Sequence, residues 1–307
     1  LYRWYVPDFD QKRDALPGDG GMYCVPTSAT NWMAYIANHG YPPMMSGPRS
    51  WQSQSNYDFV TTTDAQMGLF MGTTTTDGTY GDPGLSGLQT YMLLHAPFLF
   101  TASVWYGGIT PLDMYVQMAT NGLVNVCYGY YKQFPGPGFN YYARDGGHCV
   151  TLNGLVDVCS GSPRVRVRNP ADDSGLFTQS TFATAETRGI IETFPSAPLP
   201  GINKTLTRLA DFGVGSTTRR YIDTMYVIRS NFNCWAPAMT SNHITLTKAF
   251  TLFGDPQPQE VTFTLAAGTL ANAIAIHPAL TRAAYVECRP GAAGNVYHLR
   301  LLDLGDG

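Results

Sequence analysis

The stretch Cys24-Val25-Pro26-Thr27-Ser28-Ala29-Thr30-Asn31-Trp32-Met33-Ala34-Tyr35-Ile36-Ala37-Asn38 decides how the rest of the chain is read. Ala29, Trp32, Met33, Ile36 and Ala37 recur at helical spacing. Pro26 suits a first turn that has no use for its N–H, and Gly40 stands just past the end. The spacing predicts a helix over residues 25–38 with Cys24 at its start. Unpaired backbone N–H groups and the positive end of the helix dipole meet there, so the Cys24 thiol pKa is expected to fall and the thiolate to be reactive. Gly20 and Gly21 leave room for a substrate backbone, and small Thr27 and Ser28 keep the helix mouth open. The plainer reading of such a cysteine is a disulfide partner or a buried thiol.

Upstream, residues 16–21 contain Pro17 and three glycines and read as a surface loop. Downstream, residues 42–86 are rich in Gly, Thr, Ser and Pro with weak periodicity, which predicts loops that could face substrate. Helices follow over 85–94 and 111–120, then a strand over 123–128 entered through Asn121-Gly122 and a turn at 134–138. Residues 148–155 form an apolar run. After a turn at 160–163, Arg164, Arg166 and Arg168 alternate with Val165 and Val167, which predicts a β-hairpin whose arginines face solvent. Residues 222–229 read as a further strand of the same sheet. Beyond residue 232 short β-like runs recur at 244–252, 260–265, 273–276, 284–289 and 296–302. The expected organisation is α+β over residues 1–232, with a small all-β C-terminal domain over 233–307.

The chain has 307 residues, 44% hydrophobic and 13% charged, with a formal charge of −3. That is enough chain for a large core, and the weak, scattered charge gives nucleic-acid binding no support. No apolar run is long enough to span a bilayer, and no basic segment leads into an apolar one. A start at Leu1 and only four lysines lead us to expect an exported protein. No CxxC pair, HExxH or acidic calcium loop is present, so neither a metal nor another cofactor is assigned.

His148 opens its strand behind Gly146-Gly147, where two unobstructive residues would let an imidazole act as base toward a cysteine from a separate element. The hairpin returns Arg168-Asn169-Pro170 alongside that strand. Asn169 could therefore accept from the ring and fix its orientation and tautomer, with Asp172 and Asp173 as nearby substitutes. An Asn-Pro turn is the structural alternative. Gln11 could offer a side-chain N–H beside the Cys24 backbone N–H as an oxyanion hole, or be an ordinary loop residue.

In this order, Gln11, Cys24-Val25-Pro26-Thr27-Ser28, Gly147-His148-Cys149-Val150 and Arg168-Asn169-Pro170 resemble the papain-like cysteine peptidase superfamily. The Cys-x-Pro-x-Ser form is most similar to the bacteriocin-processing, double-glycine-leader peptidase branch. The resemblance covers about residues 1–230 and implies a helical half, headed by the cysteine helix, packed on an antiparallel β-sheet half. It implies Cys24 as nucleophile, His148 as base, Asn169 as the orienting amide and Gln11 as oxyanion donor. The family keeps its glutamine nearer the cysteine, whereas Gln11 lies thirteen residues before Cys24, which requires a loop insertion. Arg168 and Trp32 match no catalytic role, and Trp32 reads as core.

Six cysteines are present. Cys149 should point away from His148, because strand side chains alternate, which removes it as a rival nucleophile. Cys149 and Cys159 flank the hairpin, Cys127 lies on a possible neighbouring strand, and Cys234 with Cys288 is the expected disulfide. The expected activity is hydrolysis of proteins or peptides through an acyl-enzyme. Acyl transfer to an amine by the same triad, and a non-enzymatic binding protein, are the alternatives.

Overall fold

The computed structural model describes residues 1–39, 41–47, 54–158, 162–171, 181–192, 202–210 and 218–230, and then the backbone of 236–239, 243–248, 259–264, 270–276, 282–291 and 294–303. The chain divides into two compact units, Leu1–Tyr35 with Pro43–Ser230, and Ile36–Pro42 with Asn231–Gly307. In chain order the elements of the first are α1 (Cys24–Asn38), α2 (Gln54–Phe70), α3 (Gly81–His95), β1 (Phe100–Tyr106), α4 (Pro111–Ala119), β2 (Leu123–Gly136), β3 (Phe139–Val156), β4 (Arg164–Arg168), β5 (Thr181–Glu192), β6 (Ile202–Leu209) and β7 (Thr218–Ser230). The second carries β8 (Ala236–Met239), β9 (His243–Lys248), β10 (Gln259–Thr264), β11 (Leu270–Ile276), β12 (Arg282–Gly291) and β13 (Gly294–Asp303). These form two three-stranded antiparallel sheets, β10-β9-β8 and β11-β12-β13.

The first unit is α+β. Its seven strands run in the order β1-β7-β2-β3-β4-β5-β6, and β6 also pairs with β7 through Thr207 and Arg208, so six strands return on themselves. Neighbouring strands are antiparallel, apart from a parallel bridge between Tyr142 and Glu192 on β3 and β5. The predicted hairpin is β3–β4, with Thr151 opposite Arg168 and Leu155 opposite Val165. Val124, Val126, Val150, Leu152, Val165, Val167, Ile222 and Val227 form one apolar cluster with Met114 and Met118 of α4. Thr110 and Asp113 close a reciprocal capping box at the start of α4, which satisfies the backbone N–H groups of both residues.

Helix α1 is buried nearly all round, and its polar side chains are hidden as well as its apolar ones. Such burial is tolerable because each polar group finds a partner. Ser28 Oγ donates to the Cys149 carbonyl at 3.0 Å, and Thr151 Oγ1 donates back to the Ser28 carbonyl at 3.0 Å. Asn31 Nδ2 donates to Thr151 Oγ1 at 3.1 Å, and fully buried Trp32 donates its indole N–H to the Val124 carbonyl. These bonds fix the cysteine helix against β2 and β3.

Two expectations change, and a disulfide is added. Helix α2 occupies part of the stretch read as loops. Its inward face is Val60, Asp64 and Met67, flanked by buried Thr61 and Thr63, so polar residues disguise a helical period. Of the three arginines of β4, Arg164 is exposed and Arg166 half-buried, but Arg168 is buried and faces Asp8 at 3.6 Å. A disulfide joins Cys127 to Cys149, which sit directly opposite each other on β2 and β3. Cys159, Cys234, Asp172 and Asp173 lie outside the described residues, and with them the expected Cys234–Cys288 bridge. Among the described residues no helix is long and apolar enough to cross a membrane, and no three His, Cys, Asp or Glu side chains gather in a metal-sized group.

Candidate active site

A cleft of about 480 Å³ opens at the start of α1. Cys24, Gln11 and Met22 border it on the helix side, residues 76–81 ahead of α3 form a second wall, and Arg144, Gly146, Gly147 and His148 of β3 with Asp223 and Tyr226 of β7 form a third. Tyr128 and Tyr131 of β2 are buried in the sheet, whereas Tyr80 and Tyr226 are on the cleft.

His148 is 8% exposed, and its Nε2 lies 2.7 Å from Asn169 Oδ1. The backbone N–H of Ala171 donates to the same Asn169 atom at 3.2 Å. Since an N–H needs an acceptor, that atom is the amide oxygen, and the His148 nitrogen facing it carries the proton. In the neutral ring Nδ1 is then the basic nitrogen. Burial is the main reason that the imidazole pKa drops to about 4; the Arg220 charge adds to the drop and the Asn169 bond opposes it.

At Cys24, backbone hydrogen bonds from Cys149, Val25 and Cys24 itself and the Arg144 charge all favour the thiolate. Burial outweighs them and raises the thiol pKa, against the fall expected from the helix terminus alone. Near neutral pH the resting pair is therefore a thiol and a neutral imidazole. Cys24 is the free cysteine among the described residues, since Cys149 is tied to Cys127. The bond from the Cys149 backbone brings the residue next to His148 against the Cys24 sulfur.

Gln11 reaches the cleft despite its distance in sequence, because residues 12–23 fold back on it. Gly20, at φ +71°, packs so tightly that a Cβ there would stand 1.7 Å from the Gln11 carbonyl oxygen. The Gln11 backbone N–H donates to the Pro170 carbonyl, beside Asn169. Its side-chain Nε2 donates to the carbonyls of Gly20 and Gly21 at 3.2 and 3.0 Å, so an oxyanion role requires one of these bonds to be released.

Two groups near the site were not anticipated. Asp64 of α2, fully buried, accepts from Thr27 Oγ1 at 2.6 Å and Thr30 Oγ1 at 3.1 Å on the first turns of α1. Arg144 Nε donates to Asp223 Oδ2 at 2.8 Å across 79 residues of sequence. The only signal for Arg144 was its place just before Gly146-Gly147-His148. No family model, curated protein or solved structure matches this chain.

Proposed function

We propose that the chain is a cysteine peptidase of papain-like arrangement, with α1 to α3 as its helical half and the seven-stranded sheet as the other. The observation that carries the reading is the Ala171–Asn169–His148 relay, which fixes the imidazole tautomer with Nδ1 basic in a residue that lines the cleft Cys24 borders. A cleft of this size suits a few residues of a peptide. As substrate seats, His148 Nδ1 takes the Cys24 proton and the sulfur attacks the scissile carbonyl. The Cys24 backbone N–H at the helix start, and Gln11 once one of its donors is released, hold the oxyanion. His148 returns the proton to the leaving amine, and then draws one from the water that cleaves the thioester.

The Cys127–Cys149 disulfide supports an oxidising, exported setting for this activity. The test is cleavage of a peptide library by the wild-type chain beside Cys24→Ala. Wild type should release new N-termini and react with a thiol-directed peptide electrophile, and the variant should do neither. Equal cleavage by both proteins contradicts the reading. Products joined to an added amine in preference to water would assign acyl transfer to the same residues.

A further inference from the structure

Negative charge on the Cys24 sulfur has no imidazolium beside it at rest, because His148 is neutral near pH 7. The cleft also holds acidic groups, Asp77 and Asp223. Cys24 is faced by Arg144 and His148 from β3, Asp223 and Tyr226 from β7, Tyr128 from β2, and Asp77 and Tyr80 from the loop before α3. Among the described residues lining the cleft, Arg144 alone bears a positive charge at neutral pH.

Local structure is shaped around that guanidinium. A Cβ on Gly147 would stand 2.4 Å from Arg144 Nη2, and one on Gly129 would stand 2.8 Å from its Nε and 2.7 Å from Asp223 Oδ2. Two glycines on adjacent strands, paired directly across β2 and β3, thus clear a path for the side chain over the sheet. Asp223 then holds Nε and sets the plane of the guanidinium. The side chain is 45% exposed at the cleft, so its charge is partly screened.

We propose that Arg144, oriented by Asp223 and admitted by Gly129 and Gly147, is the fixed cation that stabilises the Cys24 thiolate. The inference rests on Cys24 being the nucleophile of the proposed peptidase. Arg144 acts on the sulfur through its field, and Asp223 is a positioning residue for it. The Arg144 charge does favour the ionised sulfur, in line with this placement.

The test is the rate of Cys24 alkylation by iodoacetamide, from about pH 6 to about pH 10, followed by mass spectrometry of the Cys24 peptide in wild type, Arg144→Gln and Arg144→Lys. The reagent is uncharged, so Arg144 cannot steer it. Arg144→Gln should slow alkylation about threefold to tenfold near neutral pH and move the profile to higher pH, whereas Arg144→Lys keeps most of the wild-type rate. Superimposable wild-type and Arg144→Gln profiles overturn the proposal, and so does an equal loss in Arg144→Lys, which would assign the effect to packing. An Arg144-dependent profile in a protein that cleaves no peptide removes the peptidase reading and leaves the charge effect standing. Cys24-dependent cleavage with an Arg144-independent profile removes the Arg144 role alone.

Discussion

Replacing His148 by Ala is expected to lower kcat/KM for peptide hydrolysis by about 10⁴-fold or more, and replacing Asn169 by Ala to lower it about 10- to 100-fold. The two differ because, in the proposed mechanism, His148 moves the proton and Asn169 decides which nitrogen does so. With Ala at position 169 the ring can place its proton on either nitrogen, and part of the population loses the basic Nδ1. The wild-type acid limb should follow the His148 pKa, near 4, because the base must be neutral to work and activity is lost as pH falls through that value. Asn169→Asp sets a carboxylate against the imidazole, so its acid limb moves to higher pH. A His148→Ala enzyme within tenfold of wild type, measured on one substrate across the pH range, contradicts the assignment.

The second large effect is on stability. Asp64→Ala is expected to destabilise the fold by about 3–5 kcal/mol, read by urea or thermal unfolding, because it leaves the Thr27 and Thr30 hydroxyls without their buried acceptor and the nearby Arg13 charge without its carboxylate. Burial raises the Asp64 pKa from 3.8 to about 7, with the two hydroxyl bonds and Arg13 opposing. The native state therefore holds this proton more tightly than the unfolded chain. Its contribution to stability is complete below the unfolded pKa of 3.8 and is lost as pH rises toward 7. His148 has the opposite slope, since its native pKa is depressed from 6.5 to about 4 and stability is lost as pH falls through that window. Asp64→Asn, which removes one slope and keeps the other, should gain on wild type in melting temperature as pH is raised from 4 to 7. A difference independent of pH contradicts the buried titration.

Elements with an undisturbed period were legible in the sequence. Helix α1 shows Ala29, Trp32, Met33, Ile36 and Ala37 at helical spacing, and the β3–β4 hairpin shows an apolar run, a turn and strict alternation. The return of Asn169 to His148 followed from that hairpin, because pairing Thr151 with Arg168 carries the residue just after β4 back toward the start of the apolar run, within reach of the His148 ring. Helix α2 was hidden because Asp64, Thr61 and Thr63 occupy buried positions where periodicity looks for apolar residues. The Cys127–Cys149 bridge depends on strand register, which no local pattern fixes. The same holds for Arg144 and Asp223. The Cys24 thiol departs from expectation for a different reason: a helix terminus is visible in a sequence, but the depth of packing that outweighs it is not.

The proposed peptidase passes through a covalent acyl-enzyme on Cys24. Wild-type protein mixed with a cleaved peptide and quenched in acid should carry a thioester, seen as an intact-mass increase equal to the N-terminal half of the substrate and mapped to the Cys24 peptide. Cleavage with that acyl group on another residue, or cleavage with no adduct on Cys24 at any quench time, contradicts it.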